Sequence, residues 1–418
     1  MNLHVLLQGI TNCECGKNHA CPIDYVMIGH DVLKSLTDIC DKYQSILMVS
    51  DQNTYRVCGK DVAEILGDKI TSSIRFETGD APLIPNEKAI EAIHEKVTDD
   101  IDLIIGVGSG VINDLCKIVS FERKLPYYIV ATAPSMDGYA SVGSALILKG
   151  MKVTLNAAPP KAIIADTKVL KDAPMDMLQA GYGDIVGKYS CLNDWKLSAL
   201  INDEYFCQKV YDLTYETADK VRKLAKGVVE REEEAVGALM EALVVVGIAM
   251  AYVQNSRPAS GSEHHFSHYF EITGILTGKP YLAHGIDVVY AAVLTAKIRE
   301  RILSSEPNRR AFIEEDWVKE IDRIYLGSAE EVVALQKKMG WYWEDNSSKV
   351  LPKWDAIKEV LSEAPTEKEM LQMVEAVGLD YQEFVDLYGQ EKIDDGVLYA
   401  KDLKDRYSVL WLYYEFFR

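Results

Sequence analysis

Near residue 170 the sequence changes texture, and that change dictates the class of fold. Before it, apolar runs of strand length alternate with amphipathic stretches, the pattern of a parallel sheet covered by helices. The clearest runs span residues 45–50, 101–107, 127–131 and 162–165. Beyond it, apolar residues recur at three- and four-residue spacing from Pro174 through Leu303 and again from Trp354 onward, which is helical periodicity. Thr366 followed by Glu369 forms a capping box that opens one of the late helices. A chain of 418 residues exceeds one ordinary core. These signs predict an α/β domain with a parallel sheet over residues 1–168, followed by an all-α domain over residues 169–418.

A net charge of -19 repels nucleic acid and anionic membrane surfaces, so neither is an expected partner. An anionic substrate would need a local positive centre. Val5-Leu6-Leu7 is too short for a signal-peptide core, and a cytoplasmic location is expected. The apolar stretch from Ala242 to Val253 is shorter than a membrane span and reads as a buried helix, with no membrane insertion. Eight cysteines in such a chain point to reduced thiols. Cys13, Cys15 and Cys21 with His19 superficially resemble a zinc tract. The C-x-C gap is tighter than that of most zinc knuckles, however, and Gly16-Lys17-Asn18 reads as a hairpin turn.

The run 101–107 leads into Gly108-Ser109-Gly110-Val111-Ile112-Asn113-Asp114, and helix follows from Leu115. Strand, glycine turn and helix start together favour phosphate, because glycines admit close backbone approach and the free amides attract negative charge. Val111 stands where the usual dinucleotide fingerprint has its third glycine. The run 45–50 ends in Asp51, which suits a ribose 2′-hydroxyl and so NAD, with NADP still possible. Its alternative role is a turn aspartate before Asn53. Thr132-Ala133-Pro134-Ser135, with Asp137 and Ser141 beyond, is a polar loop of the kind that lines a site at a sheet's C-terminal edge.

Four of the eight histidines fall within twenty-one residues: His264, His265, His268 and His284. His264 and His268 would share one helical face, His284 opens a separate element, and Asp184 follows a Gly181-Tyr182-Gly183 break in a helical segment. Two histidines and an aspartate leave a position open for substrate, as a catalytic divalent metal requires. Zinc, nickel or iron(II) would suit such donors.

Gly108 to Asp114, Thr132 to Tyr139, Gly181 to Lys188 and Arg257 to His264 together resemble sn-glycerol-1-phosphate dehydrogenase, particularly its bacterial branch. That family belongs with iron-type alcohol dehydrogenases, glycerol dehydrogenase and 3-dehydroquinate synthase. The resemblance implies an active site in a cleft between the two domains and reduction of dihydroxyacetone phosphate by NAD(P)H. The product, sn-glycerol 1-phosphate, would feed glycerophospholipid synthesis. It implies that Asp184, His264 and His284 hold one Zn2+ or Ni2+ and that Asp137, Asp184 and His268 meet the substrate. Gly108 to Asp114, Thr132 to Ser135, Ser141 and Asp51 would meet the dinucleotide. Asp184 and His268 carry the expected catalytic role, with His268, or a metal-bound water it orients, as the proton donor. Lys188 and Arg257 are the expected phosphate ligands. A homodimer or larger homo-oligomer is expected. The rival activities are a glycerol dehydrogenase and a cyclising lyase of the dehydroquinate-synthase type, the latter disfavoured by the sparse cations near these motifs.

Overall fold

The computed structural model describes residues 3–79, 81–148 and 151–418. Its main sheet is built from β1 (Tyr25–Gly29), β2 (Ile46–Asp51), β3 (Ile70–Phe76), β4 (Leu103–Gly108), β5 (Tyr127–Ala131) and β8 (Ala162–Asp166). The strand order is β3-β2-β4-β5-β8-β1, and every pair in it is parallel. β4, β5 and β8 are buried along their whole length, as is β2 up to Asp51. Such strands need apolar residues on both faces, so they appear in the sequence as continuous apolar runs. The edge strands β1 and β3 are partly exposed, and β3 alternates half-buried and exposed residues. A separate antiparallel hairpin joins β6 (Gly143–Leu148) to β7 (Met151–Asn156).

The chain divides into two compact units. Unit 1 comprises residues 1–182 and 223–255, and unit 2 comprises residues 183–222 and 256–418. This interleaved division differs from the single boundary expected at residue 168. Within unit 1 the helix Glu233–Val253 explains the return of the chain to the sheet domain. Its Gly247 presses so closely on the turn at residues 137–140 that an added Cβ would lie 2.6 Å from the Ala140 side chain. The helix is long and apolar enough to cross a membrane, yet 83% of its most apolar stretch is buried within the protein. A core helix satisfies the same length and composition. Unit 2 is helical, and its helix Glu367–Ala376 begins at the Thr366–Glu369 capping box, as the sequence predicts.

Candidate active site

In unit 1 the loop after β4 meets the loop after β5, where the Thr132 amide donates to the Gly108 carbonyl at 3.1 Å. Helix Gly110–Arg123 starts directly behind β4, and no side chain of its N-cap residue Ser109 closes the first turn. Its leading amides therefore remain available to an anion. Gly108 permits close strand–helix approach, since an added Cβ would lie 2.6 Å from Ile112. Cys116 packs likewise, its sulfur 2.9 Å from a Cβ built on Gly106, which accounts for an apolar residue there.

The expected nucleotide residues fall into two groups. Ser109, Gly110, Val111 and Ser135 are half-buried at this edge, whereas Thr132, Ala133 and Pro134 are buried behind it. Ile112, Asn113, Asp114 and Ser141 hold the loops in place. Asn113 donates to the Gly138 carbonyl, and the Asp114 carboxylate accepts from the Ala145 amide at 3.2 Å. The buried Lys117 ammonium binds the carbonyls of Gly138 and Gly143, each at 2.8 Å, and the Ser141 hydroxyl at 3.2 Å. Asp51 caps the helical segment after β2 through Asn53 and Thr54, so the turn role is present; both bonds use one carboxylate oxygen, Oδ1. Asp137 begins a single helical turn in the same unit.

Unit 2 gathers the other candidate residues. Asp184, His264 and His284 each present one donor atom, and these atoms lie within 4.8 Å of one another. Glycines allow this convergence. The helix Met175–Val186 runs through Gly181-Tyr182-Gly183 without the expected break, because these glycines serve close packing. A Cβ on Gly183 would sit 2.3 Å from the Gly285 carbonyl oxygen, beside His284 at the start of helix His284–Leu303. Gly261 starts helix Ser262–Thr277, and a Cβ there would meet Asp194 and Cys191 at 2.6 Å.

The donors are prepared for a cation. Glu263 Oε1 lies 2.6 Å from His264 Nδ1, which fixes the ring proton there and turns Nε2 toward Asp184 Oδ1 at 3.6 Å. Ser267 Oγ approaches His284 Nδ1 at 3.1 Å and leaves its Nε2 for the site. Burial, reinforced by Lys188, drives the His264 imidazole well below its usual range, so its ring is neutral at neutral pH. Burial alone would raise the Asp184 carboxyl, but the Lys188 ammonium, 2.6 Å from Oδ1, holds it below its usual range. A neutral imidazole and an ionised carboxylate are the forms that bind a divalent metal. His268 is half-buried beside them, its ring 6.1 Å from that of His264 and 5.6 Å from that of His284.

Lys188 and Arg257 do not match their expected role on a phosphate. Lys188 is fully buried, with Nζ donating to Asp184 Oδ1 at 2.6 Å and to the Ala259 carbonyl at 3.0 Å. Arg257 holds Glu204 through two of its nitrogens and donates to the Tyr407 carbonyl at 2.8 Å. Both cations are buried, and each has its charge met by an internal carboxylate. The positive centre near His264 comes from Lys188 together with Arg406 and Lys404, of which Arg406 and Lys404 are half-buried. Sequence reasoning gave no role to Glu263, Ser267 or Lys404. The first stands inside the Glu-His-His motif, which was its available signal.

The iron-containing alcohol dehydrogenase family model matches residues 27–174. A glycerol-1-phosphate dehydrogenase (NAD(P)+) of Halalkalibacterium halodurans is 34% identical over 304 residues, covering 71% of this chain and 76% of the relative. The chain belongs to the glycerol-1-phosphate dehydrogenase family. A second member, from Bacillus licheniformis, is 32% identical over 299 residues, which is 70% of this chain and 75% of that protein. The fold is shared with solved structures. The iron-containing alcohol dehydrogenase of Thermococcus thioreducens superposes with a TM-score of 0.60 at 15% identity, covering 93% of this chain and 91% of that one.

Proposed function

We propose that this chain reduces dihydroxyacetone phosphate to sn-glycerol 1-phosphate reversibly, using NADH or NADPH, and so supplies a glycerophospholipid backbone. The convergence of Asp184, His264 and His284 carries this reading. A divalent cation held by these three, zinc or nickel, would supply Lewis acidity toward the substrate ketone. A dinucleotide bound at Ser109 to Val111 and Ser135 would supply the hydride.

The remaining work falls to the protein's own side chains. His268 provides the proton that the ketone oxygen takes up, since imidazole titrates near neutrality and its ring lies beside the cluster. Asp184 supplies negative charge to the cation, and Lys188 keeps it ionised. Asp137 accepts a hydrogen bond from a substrate hydroxyl. Lys404 takes the phosphate, in place of Lys188 and Arg257, because it acts electrostatically on His264 and is half-buried. Asp51 favours the ribose of NADH over the 2′-phosphate of NADPH. The enzyme acts in the cytoplasm as a homodimer or larger assembly.

The test compares dihydroxyacetone with its phosphate as oxidants of NADH, using chelator-stripped protein restored with zinc or nickel. Metal-dependent oxidation that strongly prefers the phosphorylated ketone is expected. Preference for the unphosphorylated ketone, or no net NADH oxidation with either metal, would overturn the proposal.

A further inference from the structure

Unit 1 contains a second convergence of metal-ligating side chains. Cys13, Cys15 and His19 each offer one donor atom, and these lie within 4.8 Å of one another. The turn anticipated at Gly16-Lys17-Asn18 brings them together. Ile10 and His19 exchange backbone hydrogen bonds at 2.9 and 2.8 Å, the Gly16 amide donates to the Cys13 carbonyl at 2.9 Å, and Gly16 adopts a φ of 82°. The tight C-x-C spacing is therefore no obstacle, because the third donor arrives on the returning arm of the turn.

The geometry around His19 points to a ligand. Its Nδ1 lies 2.9 Å from the Tyr252 carbonyl oxygen, which can only accept, so the ring proton sits on Nδ1. Nε2 then presents its lone pair toward Cys15 Sγ, 3.4 Å away. A backbone carbonyl fixing one imidazole nitrogen while the other faces thiols is a recurrent arrangement around bound metals. His19 and Cys13 are 3% and 6% exposed and Cys15 is half-buried, so two of the three donors are shielded from bulk water. The support is itself well fixed. The Tyr252 ring lies 5.5 Å from that of His19, the Tyr252 hydroxyl donates to the Leu6 carbonyl, and a Cβ on Gly9 would sit 2.2 Å from the His19 carbonyl oxygen.

We propose that Cys13, Cys15 and His19 form a structural zinc site that pins the N-terminal segment to the end of helix Glu233–Val253. Two thiolates and an imidazole favour zinc over magnesium or calcium, which take oxygen donors. Binding displaces the two thiol protons to solvent, and a further donor completes the tetrahedron. Cys21 belongs to the same tract but not to the group, and burial pushes its thiol above the usual range.

The full-length protein tests this by zinc content and by thiol protection. Zinc is expected to stay bound in His264→Ala/His284→Ala and in Cys21→Ser, and Cys13→Ser/Cys15→Ser should bind one equivalent less than the parent. A Cys13→Ser/Cys15→Ser protein with the parent's full zinc content would overturn the proposal, as would complete loss of zinc in His264→Ala/His284→Ala. Alkylation of the unaltered protein, mapped by peptide mass, guards against misfolding of the variants. Zinc should protect Cys13 and Cys15, alone or with a third cysteine, until a chelator is added. Equal alkylation of both residues with and without chelator would also refute the site. Cobalt(II) substitution gives an independent signature: a thiolate-to-cobalt absorption band is expected in both the parent and His264→Ala/His284→Ala, and its absence from both would count against the site.

Discussion

Burial raises the Glu263 carboxyl to about 7, so Glu263→Gln measured at roughly pH 8, where the carboxyl is mostly ionised, isolates what a single buried charge contributes to the Asp184 cluster. Glu263 Oε1 accepts from His264 Nδ1 at 2.6 Å and from the Gly261 amide at 3.0 Å. Glutamine has nearly the same shape and can accept both bonds through its amide oxygen, so the substitution removes charge and little else. A hydrogen bond to a charged group contributes about 1.5–3 kcal/mol and a neutral one about 0.5–1.5 kcal/mol. The difference, about 1–1.5 kcal/mol, corresponds to roughly five- to twelvefold in affinity. That range meets the lower end of the roughly 10–100-fold loss found when outer-shell partners of metal ligands are changed. Competition with a chromophoric chelator would read the zinc affinity directly in protein that also carries Cys13→Ser/Cys15→Ser, so that only one site is titrated. A decrease of about tenfold with unchanged circular dichroism is expected. Affinity within about twofold of the parent would refute the idea that the Glu263 charge strengthens His264 as a ligand.

Gly108→Ala should raise KM for NADH and lower stability by about 1–3 kcal/mol, read by kinetics and by urea titration, because the new methyl would lie 2.6 Å from Ile112. His268→Ala should keep the parent's metal content while turnover falls by about a hundredfold or more, and full turnover would remove His268 from the proton-donor role. Asp194→Asn should cost about 1–3 kcal/mol, since its two oxygens accept from the Ser262 and Val409 amides, each at 2.7 Å, and an asparagine can serve only one of them. Burial, with help from Glu263, raises the Asp194 carboxyl to about 6. The unfolded chain therefore ionises first, and the stability this group contributes below about pH 4 is lost as pH rises toward 6. Thermal melts across that window should show a flatter profile for Asp194→Asn than for the parent.

The central strands were legible because burial on both faces leaves no room for polar alternation. β3 was missed because an edge strand carries Thr71, Ser72, Ser73 and Arg75 among its residues and shows no apolar run. The histidine cluster could be read because imidazoles seldom crowd by chance, and the structure brings His264 and His284 to Asp184. The fates of Lys188 and Arg257 could not be read, since local sequence does not say which carboxylate a cation will meet. Arg257 finds Glu204 fifty-three positions away. Gly181 and Gly183 look like helix breakers in the sequence, yet their missing side chains let other backbone approach an unbroken helix. The interleaved units were hidden for a related reason: the apolar pattern of Glu233–Val253 reveals a buried helix but not the layer it joins.

The most direct test of the central claim is the configuration of the product formed by metal-restored enzyme from dihydroxyacetone phosphate and NADH, assigned with an enantiospecific glycerol-phosphate assay. The account predicts sn-glycerol 1-phosphate, formed only when zinc or nickel is present and lost when His264 and His284 are both changed to alanine. Formation of sn-glycerol 3-phosphate, or product at the same rate from metal-free protein, would contradict it.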